Sequence, residues 1–300
     1  MKRAVSVSLG SPKREKGAVV DFNGEPVQVE RIGTGGDELK ARQLFTELDG
    51  QVDALSVGGI DLYVRLDGRD YPIHAALKLV QGVHQTPLVD GRILKYVLER
   101  RIFERVNQML GEQLHFRCAF IPFGTDRVGL IEAVESVADQ VFIGDLMFIF
   151  GLPTPVRGLK RFKRLAHLLL PAVGYMPLNA LFPPGAKEEV HQPKFVKLWQ
   201  QADLIAGDMH YIHKYSPADL SGKLVITNTT TEENLETLRQ RGVRTVITTT
   251  PRYDGRSFGV NMMEGALTAY AGKNRPLGAQ ELDALIDELN LQPYIQHLNP

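Results

Sequence analysis

Three short apolar runs between residues 202 and 272 constrain the fold more than any other part of this sequence. They are continuous and rich in β-branched residues, and polar or amphipathic segments separate them: residues 202–206, 223–228 and 243–248. Runs of this kind are typical of strands that are covered on both faces. Because helices between consecutive strands require parallel crossovers, the sequence predicts a Rossmann-like lobe with a parallel sheet over residues 201–300.

Residues 1–150 are predicted to form another α/β lobe, the first along the chain, with β-hairpins added to it. Asn23-Gly24 and Asp67-Gly68 each separate two strand-like runs, and both dipeptides favour tight hairpin turns. The predicted fold class is therefore α/β, with two parallel-sheet, Rossmann-like lobes and hairpin additions in the first.

Two segments between the strands have a helical pattern. Residues 92–110 show the apolar period of one amphipathic helix, with Lys95 and Glu99 on its polar side. Residues 151–200 are rich in proline and hold a helix at about 159–170, so we expect a crossing or a lid there.

Composition excludes several classes of function. Lysine plus arginine and aspartate plus glutamate both number 35, and this balance argues against nucleic acid as a partner. The single cysteine, Cys118, allows no internal disulfide, and a cytoplasmic protein is the simplest expectation. No apolar run approaches the ~20 residues of a membrane span. The tail carries an amphipathic helix at 279–289, which is expected to pack on the body or against the partner of a homodimer.

A glycine run, Gly33-Thr34-Gly35-Gly36, stands between a predicted strand and the helix that begins near Asp37. Such a run can cradle a phosphate on helix amides. Glu38 occupies the last position of a dinucleotide fingerprint, where glycine is required. A turn with Asp37 near the helix start is the favoured interpretation.

In the lobe predicted for residues 201–300, polar residues collect where the strands end. Parallel sheets bind ligands at the edge formed by the carboxyl ends of their strands. We expect the substrate to contact the following residues: Asn228, Thr249, Arg252 and Arg256. The two arginines suit a carboxylate or phosphate, although they also suit pinning of their own loop. A small anionic metabolite is the expected ligand.

Two segments repeat one pattern, in which Ala-Asp is followed by an apolar strand and Gly-Asp. Asp145 and Asp208 end the two copies. They either place two carboxylates around one cleft or bond helix amides locally. His210 and His213 lie three residues apart at a predicted helix start, so both can face the same side. A zinc site there would need at least one further ligand, with Asp208 or Asp145 as candidates, and no metal-binding motif is present. Proton transfer by His210 is the favoured interpretation.

A basic cluster follows a Gly/Pro-rich turn and comprises Arg157, Lys160, Arg161, Lys163 and Arg164. It is suited to holding a phosphate. A solvated helix face is the favoured interpretation.

The segment Phe123-Gly124-Thr125-Asp126-Arg127-Val128-Gly129-Leu130 resembles the G-x-N-T-D-x-x-G-F pattern of the shikimate/quinate dehydrogenase family. Thr86-Pro87, with Lys95 after it, resembles the segment that carries that family's lysine, and 259–272 resembles its closing helix. The resemblance implies an oxidoreductase that uses NAD or NADP, with Lys95 and Asp126 as the acid–base pair on the substrate hydroxyl.

The nucleotide loop of that family corresponds here to Gly144 and Asp145, and Asp208 ends the equivalent strand. These three residues are the candidate cofactor contacts.

Three functions remain open from the sequence. The leading one is an oxidoreductase of the shikimate/quinate dehydrogenase type that acts on a small hydroxylated carboxylic acid. The second is a hydrolase or lyase that uses Asp145, Asp208 and His210 with a metal or by acid–base chemistry. The third is a non-catalytic protein that binds a small ligand.

Overall fold

The computed structural model describes residues 1–12, 16–181, 191–253 and 256–300. The chain divides into two compact units. Unit 1 comprises Met1–Lys95, Leu169–Glu188 and Gly259–Leu291, and unit 2 comprises the remaining segments, Tyr96–Leu168, Glu189–Phe258 and Gln292–Pro300.

The strands have these bounds: β1 Lys2–Ser8, β2 Lys16–Phe22, β3 Glu25–Gly33, β4 Ala54–Gly58, β5 Tyr63–Leu66, β6 Arg69–Pro72, β7 Leu88–Val89, β8 Phe116–Ile121, β9 Ala138–Ile143, β10 Val156–Arg157, β11 Leu204–Ala206, β12 Leu224–Thr227, β13 Thr245–Thr248, β14 Arg252–Tyr253, β15 Arg256–Ser257 and β16 Tyr294–His297.

The helices have these bounds: α1 Glu38–Leu48, α2 His74–Leu77, α3 Arg92–Arg100, α4 Ile102–Leu110, α5 Val128–Glu135, α6 Asp145–Phe150, α7 Leu159–Val173, α8 Leu178–Leu181, α9 Val196–Gln201, α10 Met209–Tyr215, α11 Glu232–Gln240, α12 Val260–Ala271 and α13 Ala279–Glu288. A 3₁₀ turn covers Lys78–Val80. Among all of these described helices, none is long and apolar enough to cross a membrane.

Unit 1 is built on a mostly parallel sheet with the strand order β2-β3-β1-β4-β7. β1 pairs in parallel with β3 and β4, and β4 with β7, whereas β2 is an antiparallel edge strand. The predicted hairpin between β2 and β3 is confirmed, and Asn23 and Gly24 both have positive φ, at 52° and 88°. Helix α12 packs on β1, β3 and β4, so a segment from near the end of the chain completes this unit.

The glycine run after β3 forms a turn and no anion cradle. The amides of Thr34, Gly35 and Gly36 donate to carbonyls of the last residue of β1 and of the loop after it at 2.7–3.0 Å, which leaves these amides unavailable to a phosphate. Asp37 is the N-cap of α1 and accepts from the amide of Lys40 at 2.9 Å. The favoured interpretation of this run is confirmed.

Unit 2 contains a seven-stranded sheet with the order β10-β9-β8-β11-β12-β13-β16. The five central strands are parallel, and numbered by their sequence they follow the order 2-1-3-4-5 of doubly wound α/β sheets. β10 and β16 close the two edges as antiparallel strands. The parallel sheet predicted from the three apolar runs is therefore confirmed, and the apolar tail packs on it as β16.

One face of this sheet packs on α9, α10 and α11. Phe120, Val225 and Val246 of the strands meet Trp199 of α9 in this core, and all four side chains are buried. Trp199 also donates from Nε1 to the carbonyl of Lys194 at 2.9 Å, which fixes the start of α9. This core holds rigid the strands whose carboxyl ends form the candidate site.

Two expectations differ from the structure. The single helix expected over 92–110 is two helices, α3 and α4, interrupted at Arg101. Glu99, expected on its polar side, is fully buried because it pairs with Arg127. The expected division at residues 150 and 200 also differs from the compact units, since 96–150, expected in the first lobe, and 151–168 both belong to unit 2, and α12 belongs to unit 1.

Candidate ligand site at the carboxyl edge of unit 2

Polar side chains follow four neighbouring strands of unit 2, at the point where each strand ends. We call this set the carboxyl edge: Asp126 and Arg127 after β8, Asp145 after β9, Asp208 after β11 and Asn228 after β12. From β8 the chain passes to β9, which lies on one side of β8, and then to β11, which lies on the other side of β8. Strand order therefore reverses between β8 and β11, and sheets of this order bind ligands in the crevice at that reversal.

Arg127 links three segments of this edge from a buried position. Its guanidinium donates to Glu99 at 2.6 Å and to Asp208 at 2.7 Å, and also to the side-chain oxygen of Asn228. The Arg127 side chain is 2% exposed. A buried guanidinium requires charged partners of this kind, and the planar fork of arginine fixes their relative positions.

Asp208 remains an anion that partly faces solvent. It is the N-cap of α10, where it accepts from the amide of His210 at 2.8 Å. Burial would raise the pKa of this carboxyl, but the Arg127 guanidinium and the His210 amide outweigh it and hold the pKa below its usual range. With 35% of its side chain exposed, Asp208 can accept hydrogen bonds from a ligand.

Asp145 has a different role at the end of the neighbouring strand. Its carboxylate accepts from the amides of Gly124 and Thr125, each at 2.9 Å, and from the Thr125 hydroxyl. Burial raises its pKa to about 6 in spite of these bonds. Asp145 therefore holds the turn that carries Asp126 and Arg127. Both carboxylates stand at strand ends as the repeated pattern predicted, but only Asp208 bonds a helix amide.

The carboxylates of Asp126, Asp145 and Asp208, with that of Glu99 on α3, make the edge acidic. The side chain of Asp126 is 24% exposed and lies 3.9 Å from Nε of Arg127. Burial and then Asp126 raise the pKa of Tyr211, whose ring stacks on Phe123 with centroids 5.0 Å apart. Among the described residues of the edge, Arg127 supplies one positive charge against the carboxylates of Glu99, Asp126 and Asp208, and these charges together do not favour a further anion.

The proposed contacts of the nicotinamide cofactor do not fit a dinucleotide. Gly144 has a φ of −94° and its amide donates to the carbonyl of Ile121, while a Cβ there would lie 2.7 Å from the carbonyl oxygen of Pro122. This glycine thus serves strand packing. The Asp145 carboxylate stands beside it, and a pyrophosphate would meet a negative charge in place of free amides.

Lys95, the other half of the expected acid–base pair, belongs to unit 1, and Asp126 belongs to unit 2. Lys95 lies on α3, is largely buried, and its Nζ is 3.3 Å from a carboxylate oxygen of Asp61. The catalytic roles of Lys95 and Asp126 stay predictions.

Among the described residues, His210 and His213, which were considered as zinc ligands, are not joined by further ligands. His210 is exposed, and burial followed by the charge of Arg241 lowers the pKa of His213. In the described ranges, no three His, Cys, Asp or Glu side chains are placed to hold a metal ion.

Of the expected substrate contacts, Asn228 is half-buried at the edge and Thr249 is buried beside it. The amide of Thr249 donates to the carbonyl of Thr227 at 2.9 Å, which continues the pairing of β12 with β13. The side chains of Arg252 and Arg256 lie outside the described residues, so the expected grip on an anion stays a prediction.

The basic cluster agrees with its favoured interpretation. Lys160, Arg161 and Arg164 are exposed on α7, and Lys163 pairs with Glu132 at 2.9 Å.

The sequence did not identify Arg127 or Glu99 as members of the site. Arg127 stood next to the noted Asp126, within a segment that continues as Val128-Gly129-Leu130. The signal available in the sequence is an arginine directly before an apolar helix start. An arginine in that position becomes buried only with a charged partner, so it indicates a buried ion pair.

Two family models match the chain. One, described as "Domain of unknown function (DUF8754)", matches residues 93–298, and the other, "Domain of unknown function (DUF8753)", matches residues 3–90. No curated protein sequence matches significantly.

Several solved structures share a distant likeness with most of the chain. A glutamate dehydrogenase is 14% identical, over 95% of this chain and 71% of that one, with a TM-score of 0.41. A carbohydrate transporter solute binding protein from Agrobacterium radiobacter, in complex with D-arabinose, is 10% identical over 92% and 90%, with a TM-score of 0.29. A dipicolinate synthase chain from Bacillus halodurans is 11% identical over 96% and 97%, with a TM-score of 0.26. At these values the likenesses identify no ligand and no reaction for this chain.

Proposed function

We propose that this chain, which belongs to the family described as Domain of unknown function (DUF8754), binds a small hydroxylated metabolite at the carboxyl edge of unit 2. The observation that carries the proposal is the network of Arg127, Asp208 and Asn228 at the strand-order reversal between β8 and β11. It supplies fixed acceptors where sheets of this order take their ligands.

The charge of the edge supports hydroxyl groups as the part of the ligand that is recognised. Ionised carboxylates only accept hydrogen bonds, and the depressed pKa of Asp208 keeps it ionised at neutral pH. Hydroxyl groups donate to such acceptors without adding negative charge. Phosphate groups would add charge beside Asp126, Asp145 and Asp208, at a cost that increases as the site is desolvated.

Thermal unfolding with a panel of probes tests this proposal. We expect myo-inositol, which carries hydroxyl groups and no charge, to raise the melting temperature, and inorganic phosphate to leave it unchanged. A probe at a hundred times its dissociation constant adds ~2.7 kcal/mol to the free energy of unfolding, which a melt detects readily. If myo-inositol leaves the melting temperature unchanged, the proposal is wrong.

The second candidate function is oxidation of a hydroxylated carboxylic acid with NAD or NADP. It is favoured by Asp126, which belongs to the segment that resembles the shikimate/quinate dehydrogenases and follows β8 at the reversal. The turn at Gly144 and Asp145 argues against it. NAD and NADP are therefore included in the same panel, and a melting shift with either one would favour this candidate over binding alone.

A further inference from the structure

Four threonine hydroxyls at the ends of β12 and β13 are buried without a hydrogen-bond partner anywhere in the described part of the chain: those of Thr227, Thr230, Thr248 and Thr250. The residues are 0–8% exposed. Buried side-chain polar atoms are nearly always hydrogen-bonded in folded proteins, so four exceptions at one sheet edge require an explanation.

Strand register places two of these hydroxyls side by side. Thr227 and Thr248 are the last residues of β12 and β13, and they are direct partners in the parallel pairing. Each stands two residues beyond a core valine, Val225 or Val246, and therefore on the same face of the sheet. The two hydroxyls thus terminate the apolar core at the carboxyl edge.

The third hydroxyl, that of Thr250, lies two residues beyond the end of β13, and its residue contacts the proposed site. Thr250 is fully buried, and its amide donates to the carbonyl of Asn228 at 3.2 Å. The side chain of Asn228 accepts from Arg127. The threonines therefore adjoin the Arg127 network through one residue.

We infer that the hydroxyls of Thr227, Thr248 and Thr250 form a subsite for the neutral hydroxyl groups of the ligand. This rests on the proposed function, namely that a ligand binds at the carboxyl edge of unit 2. A threonine hydroxyl both donates and accepts, so it pairs with another hydroxyl in either sense. A buried anion would need compensating positive charge, and among the described residues of this edge the Arg127 guanidinium already pairs with Glu99 and Asp208.

Burial of the subsite also bears on kinetics. A ligand that contacts these side chains must enter beneath the surface of the edge, so we expect its association to be slower than a diffusion-limited encounter.

The test compares two threonines of β13. Thr248→Val removes a hydroxyl without a partner in the described ranges, whereas Thr245→Val removes one that is 3.1 Å from Nδ1 of His297. Both residues are buried, and the replacements conserve shape. Thr248→Ser retains the hydroxyl and serves as the conservative variant. Unfolding is measured for each variant alone, and titrations use myo-inositol as the probe.

We expect Thr248→Val to melt at or above the wild-type temperature and to weaken binding of the probe at least ~tenfold, while Thr248→Ser binds normally. Thr245→Val should melt lower and bind normally. If Thr248→Val destabilises the protein as Thr245→Val does, or binds the probe as the wild type does, the subsite is wrong while the proposed function stands. If the wild-type protein does not bind myo-inositol, both the subsite and the proposed function are overturned.

Discussion

At the scale of single residues, buried charge defines unit 2. Arg127 and Glu99 are both almost fully buried, and each would be left uncompensated if the other were removed. Removing one partner of such a pair typically costs ~3–5 kcal/mol. The sequence could not predict this, because the polar pattern of a helix does not reveal that a glutamate meets an arginine 28 residues later. Asp37 was predicted as a helix-start residue because capping depends only on its neighbours.

Unit 1 also contains buried carboxylates, and one of them is that of Glu264 on α12. It accepts from the amide of Leu94 at 3.0 Å, and burial followed by repulsion from Asp90 raises its pKa to about 8. A carboxyl whose pKa is raised by folding stabilises the protein in its protonated form. That contribution is complete below the unfolded value of 4.5 and is lost as the pH rises through the folded value.

We therefore predict that Glu264 lowers the free energy of unfolding as the pH rises from about 4.5 to 8. Glu264→Gln keeps the shape and cannot ionise, so its unfolding curve should lose this part of the pH dependence. Urea unfolding of both proteins across that range measures it. Equal slopes for the two proteins would show that Glu264 does not titrate as described.

At the scale of elements, the strands and tight turns followed from the sequence. The apolar runs that became β11, β12 and β13 were recognisable because buried parallel strands lack polar alternation. The break between α3 and α4 at Arg101 was not, since the apolar period continues through it. α3 and α4 make different tertiary contacts, and only this packing distinguishes them from one long helix.

The turn between β7 and α3 shows how closely elements pack in unit 1. Gly91 has a φ of 89°, and a Cβ there would lie 2.7 Å from the backbone nitrogen of Asn261, at the start of α12. Asn261 in turn donates to the Ser6 hydroxyl of β1 at 2.8 Å. Gly24, in the β2–β3 hairpin, has almost the same φ of 88°, but a Cβ added there would meet no described atom within 4 Å.

We predict that Gly91→Ala destabilises the protein more than Gly24→Ala. Both variants incur the ~1–2 kcal/mol of a left-handed alanine, but only Gly91→Ala adds overpacking, which typically costs a further ~1–3 kcal/mol. Chemical unfolding of the two variants measures the difference. Equal losses would mean that the start of α12 moves aside without cost.

At the scale of the whole molecule, each compact unit is assembled from distant parts of the chain. Residues 3–90 and 93–298 match separate family models, and the end of unit 1's first segment at Lys95 lies close to that division. α12 nevertheless belongs to unit 1, where it packs on β1, β3 and β4. Sequence patterns locate elements along the chain, but they do not reveal that one element returns to an earlier sheet. For this reason the expected domain boundaries differ from the compact units.

The position of the candidate site was predictable at the same scale, although its chemistry was only partly so. Parallel strands place their carboxyl ends at one edge, so Asp208 and Asn228 were expected together, whereas Asp145 was assigned to the first lobe. The roles of Asp145, Asp208 and Asn228 depend on Arg127, whose partners come from α3 and from the segments after β11 and β12. The anionic ligand expected from the sequence stays a prediction, and the charges of the described residues support the proposed hydroxylated ligand.

Ligand binding at the carboxyl end of the unit 2 sheet can be tested within a single strand, because β11 has a paired aspartate at each end. Asp208 follows its carboxyl end and pairs with Arg127, while Asp203 precedes its amino end and pairs with Arg117 at 3.1 Å. The measurement is titration of myo-inositol into Asp208→Asn and Asp203→Asn. We expect a loss of at least ~tenfold in affinity for Asp208→Asn and none for Asp203→Asn. Wild-type affinity in Asp208→Asn, or an equal loss in both variants, would show that the ligand does not bind at this edge.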